Sequence, residues 1–309
     1  MDYLSACHQV SKTEHHEGHE ENNGSVHDLR AFRGGSFSAA EVERLASQAA
    51  QLFLSHFQTS GGYLAEAITL LCEMATLDDT ALAEAGWREL FSHLVEPLSD
   101  SFDLRYCSLY DRLFAQVVTF CRRLPGAEAL DSELRRFGLN SEADILRRKE
   151  RLQEPPPFSA QQGEAVRKVF VPSRVTFGAD VAVTSVIVAA AKEIFPRAEI
   201  VLLAQRQTGQ LFAGDARVRV HPVEYDRGGH LLQRLNIWLE IVKAIDEERE
   251  GLRPEEYWAI DPDSRLTQLG VLPLIENEGQ YRLFPSRGYR KEGIAVSYTH
   301  LTLPTNREV

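Results

Sequence analysis

Apolar residues recur at helical spacing through the first half of the chain and in short continuous runs through the second. Val42, Leu45, Ala49, Leu52 and Phe53 fall on one face of a helix. Ahead of them Ser38-Ala-Ala-Glu41 is a capping box, in which the Ser38 hydroxyl accepts from the Glu41 amide and the Glu41 carboxylate reaches back. Phe37 and Val42 add a hydrophobic staple, and Ser60-Gly61-Gly62 closes the segment. Amphipathic stretches follow over Tyr63 to Ala75, Thr80 to Leu94, Leu109 to Leu124, Ala127 to Phe137 and Ser141 to Leu152. Breaks are expected at Pro97, Pro125-Gly126 and Gly138. None of these stretches alternates with period two, so residues 37–152 are expected to form an all-α module.

Glu154-Pro155-Pro156-Pro157 then stiffens the chain, which makes residues 153–164 a Pro-rich linker. Beyond it the period changes. Val166 to Pro172, Ala198 to Ala204, Val218 to Val223 and Tyr257 to Asp261 read as strands, with helices over Val181 to Phe195 and Leu231 to Glu248. Strand and helix in alternation predict a parallel sheet with crossover helices, a Rossmann-like α/β half-domain over residues 165–295. The apolar stretch Val181 to Ala191 is expected to be a buried helix, since a membrane span needs roughly 18–20 apolar residues. Open parallel sheets bind ligands beyond the carboxyl ends of their strands. That rule singles out residues 173–180 after the first strand and 261–265 after the fourth.

Both ends read differently. Residues 1–36 are rich in His and Glu and poor in apolar matter, and are expected to be a disordered tail. Half of the ten histidines sit there (His8, His15, His16, His19 and His27), with weak binding of a divalent metal as the alternative. At the other end, Val296 to Thr305 (VSYTHLTLPT) matches the translation of a widely used transposase sequencing adapter. Residues 296–309 are therefore expected to be a non-native tail on a truncated reading frame.

Composition narrows the function classes. The 309 residues are 43% apolar and 26% charged, which excludes collagen-like and wholly disordered chains. Thirty-four Lys and Arg against 45 Asp and Glu give a net charge of -11, so attraction to nucleic acid phosphates is not expected to dominate. Cys7, Cys72, Cys107 and Cys121 form no C-x-x-C pair, which fits a reducing cytoplasm better than a zinc site or a disulfide framework. No secretory signal pattern opens the chain. Tyr106, Tyr110, Phe114 and Phe120 form an aromatic stripe that reads as core, and His56 and His93 as structural residues. The helical module is a candidate docking platform for a protein partner.

The turn after the first strand lacks G-x-G-x-x-G, which disfavours a dinucleotide cofactor. It carries Asp180 where a helix begins. Two readings stand: a carboxylate capping the helix, or a general base at the mouth of the sheet. Arg174 and Arg265 are placed either to neutralise a phosphate or carboxylate or to form surface salt bridges. Asp261 faces the same end, as a ligand contact or as a cap for the segment after Pro262.

Gly178-Ala179-Asp180-Val181 at the turn, Ile194-Phe195-Pro196-Arg197-Ala198-Glu199-Ile200 at the helix exit and Tyr257-Trp258-Ala259-Ile260-Asp261 together carry a resemblance. Residues 168–290 resemble the N-terminal half of glycosyltransferase family nine, the ADP-heptose:lipopolysaccharide heptosyltransferases, which are built from two Rossmann-like domains in the GT-B arrangement. The chain departs from the family pattern at Ala179, where the family has glycine. The resemblance implies an inverting, metal-independent transfer of a heptose-like sugar from a nucleotide-sugar donor to a lipopolysaccharide or other glycan acceptor. Asp180 would be the base, Ser173, Arg174, Asp261 and Arg265 would meet the acceptor, and no cofactor beyond the donor as co-substrate is expected. It further implies a cytoplasmic protein, peripheral at the inner face of the cell membrane, whose donor domain is absent from this chain and which is inactive as it stands. On this reading Asp180→Ala abolishes transfer and leaves stability nearly unchanged. The alternative is a non-catalytic Rossmann-like scaffold whose helices bind a partner.

Overall fold

A computed structural model describes residues 37–224 and 231–285. The His/Glu-rich tail and the adapter-like tail lie outside the described residues. Helix α1 (Ala39–Ser60) begins at the expected capping box, with Ser38 N 2.8 Å from Glu41 Oε2, and ends at Gly61, whose φ of 69° is left-handed. Its apolar stripe of Val42, Ala46, Ala49, Ala50 and Phe53 is buried. Helices α2 (Ala65–Met74) and α3 (Thr80–Leu90) cross closely at Gly86, where an added Cβ would lie 2.6 Å from the Met74 carbonyl carbon.

The chain does not break at the expected proline. From α3 it runs through a π-helical turn, Phe91–Val95, directly into α4 (Glu96–Ser99), and Pro97 sits in the first turn of α4, where a missing amide costs nothing. Helices α5 (Leu104–Cys121), α6 (Glu128–Arg136) and α7 (Glu142–Arg151) complete the helical part. A short helix not expected from the pattern, α8 (Ala160–Ala165), follows the prolines and is started by a second capping box, Ser159 with Gln162.

Five described strands form one parallel sheet: β1 (Lys168–Pro172), β2 (Glu199–Ala204), β3 (Val218–Pro222), β4 (Tyr257–Asp261) and β5 (Tyr281–Leu283). Their order is β3-β2-β1-β4-β5. The register sets Phe170 of β1 against Val201 of β2 and Ala259 of β4. The fifth strand is only three residues long and gives too little alternation to be read in advance. Successive residues of a strand face opposite sides, and here both sides are covered. Val169 and Val171 pack with Ile187, Val188 and Ala191 of α9 (Ser185–Ile194), whereas Phe170 packs with Ile241 and Ile245 of α10 (Leu231–Glu248).

One expectation is corrected. The apolar helix after β1 is buried on one side only: Val181 is 46% and Val186 55% exposed. Apolar Val181 and Val186 stand on its solvent side, where apolar identity alone predicts burial.

The helices grip the outer side of α10. Phe137 stacks near Trp238 with centroids 5.7 Å apart, the Trp238 indole donates to the Pro273 carbonyl at 2.6 Å, and Arg136 pairs with Asp246 at 2.8 Å. Among the described residues no helix is long and apolar enough to cross a membrane.

Candidate functional site

From β1 the chain moves toward β2 on one side of the sheet, and from β4 toward β5 on the other. β1 and β4 are nonetheless hydrogen-bonded neighbours, so the direction of winding reverses between them. Open parallel sheets take their ligands in the crevice at such a reversal. Two loops meet there: residues 173–180 after β1 and residues 262–270 after β4.

The first loop is organised by Asp180, the first residue of a π-helical turn, Asp180–Thr184, that leads into α9. Its carboxylate is 1% exposed. Oδ2 accepts from the Ser173 hydroxyl at 2.6 Å, and Oδ1 from the Arg174 amide at 2.9 Å and the Thr184 hydroxyl at 2.8 Å. The donors explain why an aspartate stands here: it gathers a tight turn that has two hydroxyls and an amide turned inward. The sequence suggested an acceptor for the first amides of the following helix; its donors instead include the preceding turn and Thr184, one turn further on. π-helical turns of this kind occur often at functional sites.

The second loop is organised in the same way by Asp261. Its carboxylate accepts from the Ser264 amide at 2.8 Å, the Thr267 hydroxyl at 2.6 Å and the Tyr281 hydroxyl at 2.7 Å. Complete burial pushes its pKa up, and the charge of Asp263 adds to this; the three donors oppose it. Burial likewise raises the Tyr281 hydroxyl well above its ordinary value. Asp261 therefore does cap the segment after Pro262.

The loops are joined to each other. Ser264 donates from its hydroxyl to the Ser173 carbonyl at 2.5 Å, with both residues fully buried. Ser173, Arg174, Asp180 and Asp261 are thus brought together. Arg265 starts in the same loop but extends toward the helical part, where its guanidinium meets the Ser99 hydroxyl at 3.0 Å and Asp100 at 3.2 Å.

Backbone strain concentrates at this crevice. Among the described residues, the non-glycine positions with left-handed φ are Val175 (77°), Asp263 (61°), Gln268 (51°) and Leu269 (57°), and all four lie on these two loops. A β-branched valine at such an angle is a genuine outlier. Each costs on the order of 1–3 kcal/mol, and strain of this kind persists where the surrounding contacts impose it.

Sequence reasoning missed Thr184, Thr267 and Tyr281, and placed Ser264 in the loop after the fourth strand without giving it a role. Ser264 and Thr267 were discoverable, because hydroxyls three and six residues after a strand-end aspartate are a pattern for side-chain to backbone turns. Tyr281 was not, because it arrives from a strand with no sequence signal. His93 is less isolated than its spacing suggested, with Glu89 of the preceding turn at 3.0 Å and Ser47 at 3.3 Å, both on Nε2.

Two cavities lie away from the crevice. One, of about 680 Å³, is lined by the Glu150–Pro156 stretch and Glu278; another, of about 400 Å³, lies between His221–Glu224 and the Glu240–Glu247 side of α10. Neither gathers the strained backbone and buried hydroxyls of the crevice. Among the described residues, no group of three or more His, Cys, Asp or Glu is arranged to hold a metal ion. No protein-family model, curated protein or solved structure matches this chain.

Proposed function

We propose that the crevice between β1 and β4 is the acceptor-binding side of a Rossmann-like glycosyltransferase half, of the heptosyltransferase-like kind. The observation that carries the reading is the clustering of left-handed non-glycine backbone on the two loops at the winding reversal. In this reading a glycan hydroxyl enters beside the residue 173–180 turn and loses its proton to Asp180 as it attacks the anomeric carbon of a nucleotide-sugar donor. The configuration at that carbon inverts, and no metal or further cofactor takes part.

For Asp180 to act as base, the Ser173 hydroxyl must yield its place on Oδ2. The Ser173 oxygen also accepts the Val175 amide at 3.0 Å, so opening Oδ2 to an acceptor rearranges this turn and makes Ser173 the gate of the proton path. Arg174 supplies positive charge at the crevice for an anionic acceptor. Work at the inner face of the cytoplasmic membrane follows from a lipid-linked acceptor.

A second reading is favoured by the closure of Asp180 and by the engagement of Arg265 with Ser99 and Asp100. In it the crevice is a locked scaffold and the helices bind a protein partner. Saturation-transfer NMR on the 309-residue chain separates the two. Phosphorylated heptose oligosaccharides are expected to show transfer that Arg174→Ala weakens, and nucleotide sugars alone none. Absence of transfer from every saccharide would overturn the glycosyltransferase reading in favour of the scaffold.

A further inference from the structure

Helix α7 reads EADILRRKER, seven charged residues in ten, and by composition would be a solvated helix. Yet Arg148 is 2% and Lys149 8% exposed. Buried basic side chains are rare because each must recover the hydration it loses. Both donate to one place, the left-handed run Gln268-Leu269-Gly270 of the crevice loop. Arg148 Nη1 donates to the Gly270 carbonyl at 2.9 Å, and Lys149 Nζ donates to the Leu269 carbonyl while pairing with Asp111 at 3.3 Å.

The Arg148 guanidinium also lies 4.8 Å from the centroid of the Tyr281 ring, and the Tyr281 hydroxyl is the one that holds Asp261. From there the polar chain is continuous. Asp261 holds the Ser264 amide, Ser264 holds the Ser173 carbonyl, and Ser173 holds Asp180. Each of these bonds is 2.5–2.8 Å long and each is buried.

We infer that Arg148 is a positioning residue for the crevice: through Tyr281 and Asp261, and through the Gly270 carbonyl, the helical part sets the geometry of the loops that carry Ser173 and Asp180. The helices are then a built-in wall of the site. The physical reason is that a run of left-handed residues has no regular ladder to satisfy its carbonyls, so a buried run persists only where donors are brought to it. The inference rests on reading the crevice as a functional site only for the word positioning; the coupling itself is independent of any ligand.

Amide hydrogen exchange on the full chain tests it without a substrate. Tyr281→Phe keeps the ring under Arg148 and removes only the hydroxyl on Asp261; Arg148→Met keeps the stem and removes the charge. In both, the amides of Ser264, Arg174 and Val175, which donate to Asp261, Asp180 and Ser173, are expected to exchange about tenfold faster or more. Val171 and Leu202 at the sheet centre are expected to keep their rates. Arg148→Lys, which retains the charge, is expected to restore part of the protection. Equal acceleration at the loops and the sheet centre would mean that Arg148 serves global stability only, and unchanged loops would mean no coupling; either overturns the inference. If Arg148→Met does not fold, Tyr281→Phe and Arg148→Lys decide alone. Failure of saccharide binding would leave these rates untouched, so the two readings fail separately.

Discussion

The Ser264 hydroxyl is 2.5 Å from the Ser173 carbonyl, and it ties the loop after β4 to the loop after β1 across the winding reversal of the sheet. The same Ser264 oxygen accepts the Leu266 amide at 3.1 Å, and its own amide is held by Asp261. One side chain therefore spans both halves of the crevice.

Ser264→Ala removes that tie and leaves the Ser173 carbonyl and the Leu266 amide without it in a buried setting. Stability is expected to fall by about 1–3 kcal/mol, the usual cost of stranding buried polar groups. In urea unfolding the midpoint should drop with the slope unchanged. A midpoint equal to that of the parent protein would show that the two loops are held together by other contacts.

Asp180 is expected to matter for folding as well as for any proton transfer. The sequence alone suggested that Asp180→Ala would spare stability, but three donors converge on this buried carboxylate. Removing it should cost about 3 kcal/mol or more. Asp180→Asn keeps the shape and one good acceptor and should cost clearly less, which makes it the better probe of catalysis. Loss of transfer in Asp180→Asn at near-parental melting temperature supports the base; retained transfer refutes it.

Much of the sheet was legible because its strands are buried on both faces and read as apolar runs, as in Val169-Phe170-Val171 and Ile200-Val201-Leu202-Leu203. The site was legible as two loop addresses, since strand ends in a parallel sheet are predictable from order alone. What was hidden has physical causes. The inward turn of Arg148 and Lys149 is decided by carbonyls more than a hundred residues away, and α7 carries no local sign of it. The exposed side of the helix after β1 carries Val181 and Val186, apolar residues whose identity alone predicts burial.

Gly86 marks a contact that no periodicity reveals. A Cβ there would stand 2.6 Å from the carbonyl carbon and 2.7 Å from the carbonyl oxygen of Met74, and this backbone belongs to the end of α2. Gly86→Ala ordinarily favours a helix by about 1 kcal/mol. Here overpacking against backbone should outweigh that gain and leave a net loss of about 1–3 kcal/mol. A melting temperature above that of the parent would show that α2 and α3 separate without cost.

Gln268 has φ 51° and ψ 52°, a left-handed conformation that costs a non-glycine residue roughly 1–2 kcal/mol. Gln268→Gly relieves this and adds about 0.4–1 kcal/mol of unfolded-state entropy to be lost on folding. The difference should be a small stabilisation, seen as a higher urea midpoint. Destabilisation would mean that the Gln268 side chain makes contacts worth more than the strain.

Two carboxylates, half-buried Glu248 and buried Asp261, are expected to tilt the pH dependence of stability in opposite directions. Glu248 accepts from Arg219, His221 and Lys168, and these partners, Arg219 foremost, hold its carboxyl far below its ordinary value of 4.5. In the range below about pH 4.5 the unfolded chain binds this proton and the folded one does not, so its contribution is full above that value and drains away as pH falls. Asp261 behaves inversely. Burial lifts its pKa above 3.8, so the folded protein takes up the proton first, and stability declines as pH rises from 3.8 through the folded value before levelling off. Glu248→Gln should therefore flatten the acid side of the profile, and Asp261→Asn should remove a decline on its upper side. Urea midpoints taken between about pH 3 and pH 7 read both slopes. A Glu248→Gln profile parallel to the parent's would show that the Arg219 cluster contributes nothing to acid stability. A parallel Asp261→Asn profile would show that Ser264, Thr267 and Tyr281 together cancel the effect of burial, which would make Asp261 an ordinary ionised carboxylate at the heart of the crevice.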